Sequence, residues 1–149
     1  MPSDARIDPR GVRFTAWITS GILVVGLLTG SWRVLAVQTA LFALCSFVGL
    51  RMNPWGHFYR HAVRPHLSEE QDRPHEDPSP VRFAQGIGFA CTLVATIGYA
   101  GGWTALGVTT NTLALVAALL NAAFGYCLGC RLYPLARRLV PVGPATRTR

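Results

Sequence analysis

The sequence predicts an all-α membrane protein: four transmembrane helices forming two repeated helical hairpins, with a short interfacial helix between them. Three observations carry this. Four long apolar runs are almost free of charge, the Arg residues segregate to one side of those runs, and two stretches of the chain echo each other. Composition agrees. Of 149 residues, 50% are apolar and only 14% charged, against roughly 25% charged in soluble domains. The length suits one domain. The uncharged runs exclude disorder for most of the chain. The four Cys lie in or beside those runs, which argues against a secreted disulfide framework.

Residues 1–13 form a basic entry segment. The first span, 14–31, has no charge between Arg13 and Arg33, and a bilayer crossing needs about 20 apolar residues at ~1.5 Å rise each. A cleaved signal peptide is the rival reading. The run exceeds the usual ~7–15-residue apolar region and no A-x-A-like site follows it, so an uncleaved span is expected. Gly30, Ser31 and Trp32 turn the chain directly into the second span, 34–50, which Arg51 closes. That completes the first hairpin, 14–50. The loop 51–81 begins with a helical period. Trp55, Phe58, Tyr59, Ala62 and Val63 share one face, while His57, Arg60, His61 and Arg64 share the other. This predicts a helix lying in the membrane interface and ended by Pro65. His57 and His61 have metal-ligand spacing, but a cationic stripe against headgroups is the preferred reading. An acidic turn follows with Glu69, Glu70, Asp72, Glu76 and Asp77 beside His66 and His75, expected to be solvated. The third span, 83–103, is opened by Arg82. The fourth, 108–130, is closed by Arg131, and the second hairpin occupies 82–130. Residues 131–149 form an Arg/Pro tail.

Charge sets the sidedness. All 14 basic residues are Arg, against 7 acids, for a net charge of +7. Four spans put the N-terminus, the central loop and the tail on one side, and 13 of the 14 Arg fall there; the other side has Arg33. The positive-inside rule then places both termini and the loop in the cytoplasm, with the plasma (inner) membrane as the location. The Arg excess is read as topology signal plus contact with anionic headgroups at ~1 kcal/mol each. No nucleic-acid module is recognisable, so RNA and DNA are not expected partners.

The repeat is specific. Asp8-Pro9-Arg10-Gly11-Val12-Arg13-Phe14 precedes the first span and Asp77-Pro78-Ser79-Pro80-Val81-Arg82-Phe83 the third, sharing Asp, Pro, Val, Arg and Phe. At the far ends, Val48-Gly49-Leu50-Arg51 through Pro54 matches Leu128-Gly129-Cys130-Arg131 through Pro134 at Gly, Arg and Pro. Duplication of a hairpin accounts for this, with a pseudo-axis along the membrane normal. Common punctuation at helix entries is the alternative. Trp32 and Trp103 belong near the outer turns. The pairs Gly26/Gly30, Gly98/Gly102 and Gly125/Gly129 are expected to let helices approach closely, and Gln38, Gln85, Asn111 and Asn121 to hydrogen-bond between helices.

The second copy carries Cys127 and Cys130 where that alignment gives the first copy Phe47 and Leu50. Three residues apart on a helix, they lie roughly 5–6 Å apart at Cα, within disulfide reach. The expected position is the C-terminal end of the fourth helix. Its dipole there opposes thiolate formation, while Arg131, with Arg137, Arg138 and Arg82, favours it. Cys127 is then the deeper thiol and Cys130 the more exposed. Redox or sulfur chemistry, metal binding and simple packing all remain open for the pair. Haem attachment needs His where Arg131 stands, and zinc needs two further ligands. Cys45 and Cys91 are read as packing residues, with Cys45 within two turns of the same end.

The run Phe124-Gly125-Tyr126-Cys127-Leu128-Gly129-Cys130, followed by Tyr133 and Leu135, resembles the C-terminal signature of a bacterial membrane family, domain of unknown function 4395. Pro80-Val81-Arg82-Phe83-Ala84-Gln85 through Gly88 resembles its second motif. The likeness covers about 8–135 and leaves out the tail, 134–149. It implies a four-helix membrane protein with Cys127 and Cys130 as its dithiol. Arg131, Arg82, Gln85 and Tyr133 are the candidate supporting residues around that pair. Members accompany thioredoxin-like and sulfurtransferase proteins, which implies thiol or sulfur traffic, and the family brings no assigned activity or cofactor. The expected function is therefore a cytoplasm-facing membrane dithiol working with such a partner, and whether it is an enzyme stays open. The alternatives are a non-enzymatic anchor that docks a soluble protein, and a small transporter of a sulfur compound. The transporter lacks a membrane-embedded charge. The sequence leaves the oligomeric state open.

Overall fold

Asp8 starts the first helix. In the computed structural model, which describes residues 8–66 and 78–140, its carboxylate accepts from the Arg10 N–H at 2.9 Å, and Pro9 supplies a first turn whose missing N–H costs nothing. Helix α1 (Pro9–Thr29) ends at Gly30, and α2 (Trp32–Ala43) begins two residues later, continuing through a widened turn, Leu44–Val48, to Gly49. Asn53 caps α3 (Pro54–Phe58), which runs on through Tyr59–Val63 and Arg64–His66. Then come α4 (Pro78–Ala100), α5 (Thr104–Phe124) and α6 (Leu128–Leu139). The described residues contain no strand.

Pro9–Thr29, Ser79–Ala100 and Thr104–Phe124 are long and apolar enough to cross a membrane. The second expected span is shorter. Trp32–Val48 is apolar but reaches only about 25 Å at ~1.5 Å per residue, because turns at Gly30 and Gly49 bracket it. The helical segment expected in the central loop is present. Tyr59 is buried and Trp55, Ala62 and Val63 half-buried, while His57, Arg60, His61 and Arg64 are exposed; Phe58 is exposed as well. The helical turns continue past Pro65 to His66. The acidic turn expected at 69–77 lies outside the described residues.

Packing crosses between the halves of the chain. Helix α1 lies chiefly on α5, and α2 on α4, with α4 also against α5. Leu23, Leu35, Ala95 and Ala114, one from each of the four helices, form the core. Burial is inverted relative to a water-soluble bundle. Thr19, Ser20, Gln38, Thr39, Thr92 and Asn111 are buried, while Trp17, Leu28, Val37, Ile97 and Leu113 are at least half exposed. Such an apolar outer surface suits hydrocarbon. The buried hydroxyls satisfy themselves locally: Ser20 donates to the Ala16 carbonyl and Thr39 to that of Leu35.

Of the four amides expected to bridge helices, only Asn111 does so, donating from Nδ2 to the Leu23 carbonyl at 3.2 Å. Gln38 is buried with Oε1 unpaired. Gln85 and Asn121 face a cavity instead. The glycine pairs also divide their work. Gly26 packs under Leu35 and Gly98 against the Gly107 backbone, whereas Gly30 and Gly102 are positive-φ turn residues. A close pair four residues apart cannot form a groove when its second member ends the helix.

The repeated motif has a structural meaning. Arg13, in the first turns of α1, donates from its guanidinium to the carbonyls of Ala122 (3.2 Å) and Ala123 (3.0 Å) at the end of α5. Arg82, on α4, donates to the Ser46 carbonyl (2.9 and 3.3 Å) and to that of Phe47 (3.5 Å) at the end of α2. Each occurrence of the motif thus caps the last carbonyls of a helix in the other half of the chain, which lack helical donors. This alters the register expected at the far ends. Gly49, closing α2, matches Gly125, closing α5, by role; Gly129 lies inside α6.

Candidate functional site

The fourth apolar run is broken before its cysteines. Gly125, at φ 66, ends α5 after Phe124, and its N–H bonds back to the Asn121 carbonyl at 3.0 Å while Tyr126 N–H reaches Leu120. A side chain is disfavoured at that φ, so glycine is the residue that lets the chain leave the helix here. Cys127 then caps α6. Its Sγ accepts from the Cys130 N–H at 3.2 Å, so the pair occupies the N-cap and the third helical position of a new helix. The two sulfurs are joined as a disulfide, with Cα atoms 5.2 Å apart.

This reverses the electrostatic expectation. The pair sits at a helix N-terminus, not at the C-terminal end of the fourth span, and an N-terminus favours anions by about 0.3–1 kcal/mol. The dipole therefore acts with the neighbouring cation to favour thiolate in the reduced pair. That cation is Arg131, whose guanidinium stands 4.9 Å from the Tyr126 ring centroid and so is held beside the first turn. Arg82 serves otherwise, its guanidinium being bonded to the Ser46 and Phe47 carbonyls.

Helix α6 docks on α4 through small and aromatic residues. A Cβ at Gly129 would lie 2.5 Å from Ala84 Cβ, so one of the two residues between the cysteines is bare because the helices nearly touch there. Tyr133 meets Phe83 edge-on at 5.7 Å between centroids. Leu128, Leu132, Leu135 and Leu139 are exposed along another side, with Arg131, Arg137 and Arg138 also exposed. Pro134 lies inside the helix and, lacking an N–H, leaves the Cys130 carbonyl without its helical donor.

Both cysteines are half-buried. Cys127 lines a cavity of about 730 Å³ at the end of the bundle where the arginines gather, shared with Gln85, Asn121 and Cys91. Sequence reasoning treated Cys91 as packing alone; the structure puts it on the cavity wall. Cys45 is buried and, like Cys91, unbridged. Near the same end, Tyr59 donates its phenol to Asp8 at 3.3 Å. Burial, and then the Asp8 charge, push the Tyr59 phenol up from its ordinary value of 10.0. His57 and His61 stack 6.3 Å apart, and no group of three His, Cys, Asp or Glu able to hold a metal occurs among the described residues. The break at Gly125 was readable: Leu128, Leu132, Leu135 and Leu139, interleaved with Arg131, Arg137 and Arg138, have the amphipathic period of a separate surface helix.

Residues 7–138 match the family described as a domain of unknown function, DUF4395, and the chain belongs to that family. The match runs through most of α6, beyond the reach of the sequence resemblance. No curated protein and no solved structure matches the chain.

Proposed function

We propose that this is a four-span protein of the plasma membrane, built from two repeated hairpins, whose Cys127–Cys130 pair works at the cytoplasmic headgroup boundary in thiol redox or sulfur transfer. The observation that carries the reading is a bridged C-x-x-C pair in the first turn of an amphipathic helix. Positive-inside asymmetry supports the orientation, with both termini cytoplasmic. The exposed leucines and arginines of α6 support its lying in the interface.

In the redox cycle a thiolate of a thioredoxin-like partner attacks Cys130 Sγ, and Cys127 leaves as a thiolate that takes a proton. The partner's second thiol then resolves the mixed disulfide. Two electrons and two protons pass to Cys127 and Cys130, and the partner is left oxidised. In the sulfur-transfer variant, a thiolate of the reduced pair attacks the outer sulfur of a persulfide on a sulfurtransferase cysteine, the donor's S–S bond breaks, and its cysteine leaves as a thiolate that takes a proton.

The test is a maleimide gel shift in intact membranes of a Cys45→Ser/Cys91→Ser background, before and after mild dithiothreitol. A two-thiol gain on reduction, lost in Cys127→Ser and in Cys130→Ser, is expected. Thiols permanently free and unmoved by oxidant or thioredoxin would refute the proposal. The arginine-rich end would then be read as a docking surface for a soluble protein, and the cysteines as packing.

A further inference from the structure

The cavity beside the dithiol has its own chemistry. At about 730 Å³ it falls within the ~300–1,000 Å³ of small-molecule sites. Its inner wall is built from small and apolar residues of several helices, among them Ala16, Phe42, Gly88, Ala114 and Ala117. Besides Asn53, whose Oδ1 caps α3, two carboxamides line it, Gln85 from α4 and Asn121 from α5. Neither side chain makes a hydrogen bond among the described residues, so both keep amide donors available. Arg51, Arg60 and Arg82 line the cavity too, with Asp8; Arg82 donates to the Ser46 and Phe47 carbonyls, and Arg60 through Nε to the Gly56 carbonyl at 3.3 Å. Most of the lining is nonetheless apolar, which favours a largely apolar ligand over a small inorganic anion. A flat, lipid-soluble molecule with carbonyl acceptors fits both the wall and the amides. Cys127 is part of the same lining and Cys130 is not, so a ligand here meets the sulfur pair at Cys127.

We propose that this cavity binds a lipid-soluble quinone and that the quinone oxidises the reduced Cys127–Cys130 pair. The inference rests on the redox reading above and names its electron acceptor. The two thiols lose two protons and two electrons, the Sγ–Sγ bond forms, and the two quinone carbonyl oxygens take up both electrons and both protons to give the hydroquinone. Gln85 and Asn121 hold the carbonyl oxygens, and the apolar tail leaves between helices into lipid.

The experiment uses the full chain in nanodiscs, reduced, freed of reductant and mixed with decylubiquinone. Thiols are counted by maleimide, hydroquinone by its absorbance change, and binding by quenching of tryptophan fluorescence. Saturable loss of two thiols with one hydroquinone formed per pair is expected. The near-isosteric Gln85→Leu/Asn121→Leu variant should bind about tenfold more weakly, two modest hydrogen bonds being lost, yet close its disulfide normally with diamide. Closure by diamide but not by decylubiquinone overturns the quinone and leaves the dithiol reading standing. Failure with both reagents overturns the two together. Oxidation or quenching equal in parent and variant shows that the quinone reacts outside this cavity, and that too overturns the proposal.

Discussion

Replacing Gly129 with Ala tests whether the dithiol depends on how closely α6 approaches α4. The new Cβ falls 2.5 Å from Ala84 Cβ and 2.6 Å from Ala84 Cα. Carbon atoms settle at about 3.5–4.0 Å, so the helices must part by about 1 Å. No rotamer change relieves the clash, because neither atom is the end of a flexible side chain. Overpacking of this kind costs about 1–3 kcal/mol. The ~1 kcal/mol advantage of Ala over Gly in a helix does not offset it when α6 stays helical after leaving α4, since both states then share it. At about 2 kcal/mol the undocked population rises about 25-fold. Trypsin added to sealed inside-out vesicles, which expose the proposed cytoplasmic face, cuts after Arg131, Arg137 and Arg138 and reads that population, and digestion should speed up by the same factor. Ala84→Gly removes the nearer contact but leaves Cα in place, so it should rescue only in part. Gly21→Ala, with nothing within 4 Å of its new Cβ, is the neutral control. A Gly129→Ala protein digested at the parental rate would refute the close-contact argument.

Arg13→Gln and Arg82→Gln should each lower stability by about 1 kcal/mol, the scale of one net hydrogen bond, because each uncaps the end of a helix in the other half. Thermal melting in detergent checks this, and near-equal losses are expected from the matching geometry. Asn111→Ala should cost about 0.6 kcal/mol, typical of a bond between membrane helices, as read by unfolding in mixed micelles. Tyr59→Phe should flatten the alkaline loss of stability. The folded phenol holds its proton more tightly than the unfolded one, so its contribution is complete below pH 10.0 and is lost as pH rises through the raised folded value. Melting temperatures across that range give the comparison.

The helical, apolar character of the chain was legible because hydrocarbon imposes one requirement on every residue of a span, and composition records it directly. The duplicated Asp-Pro-x-x-Val-Arg-Phe motif was legible too, although only the folded chain showed that Arg13 and Arg82 cap each other's halves. The cysteines were visible, but their electrostatic setting was inverted. Hydropathy runs continuously from Val108 to Cys130 and is blind to a backbone that leaves the helix at Gly125. Cys91 looked like filler because facing a cavity is a property of the neighbouring helices, not of the residue.

The amino-acid order alone establishes that this chain is helical, that its long apolar helices suit a membrane, and that one C-x-x-C pair lies where the last run ends. These follow from local rules of hydropathy, helix period and spacing. Tertiary packing alone set that α1 lies on α5 and α2 on α4, that Gly129 is bare because Ala84 lies against it, and that Cys127 stands on a cavity wall. Those depend on distances between residues far apart in the chain, set by which small side chains let two backbones meet, and no local pattern encodes them.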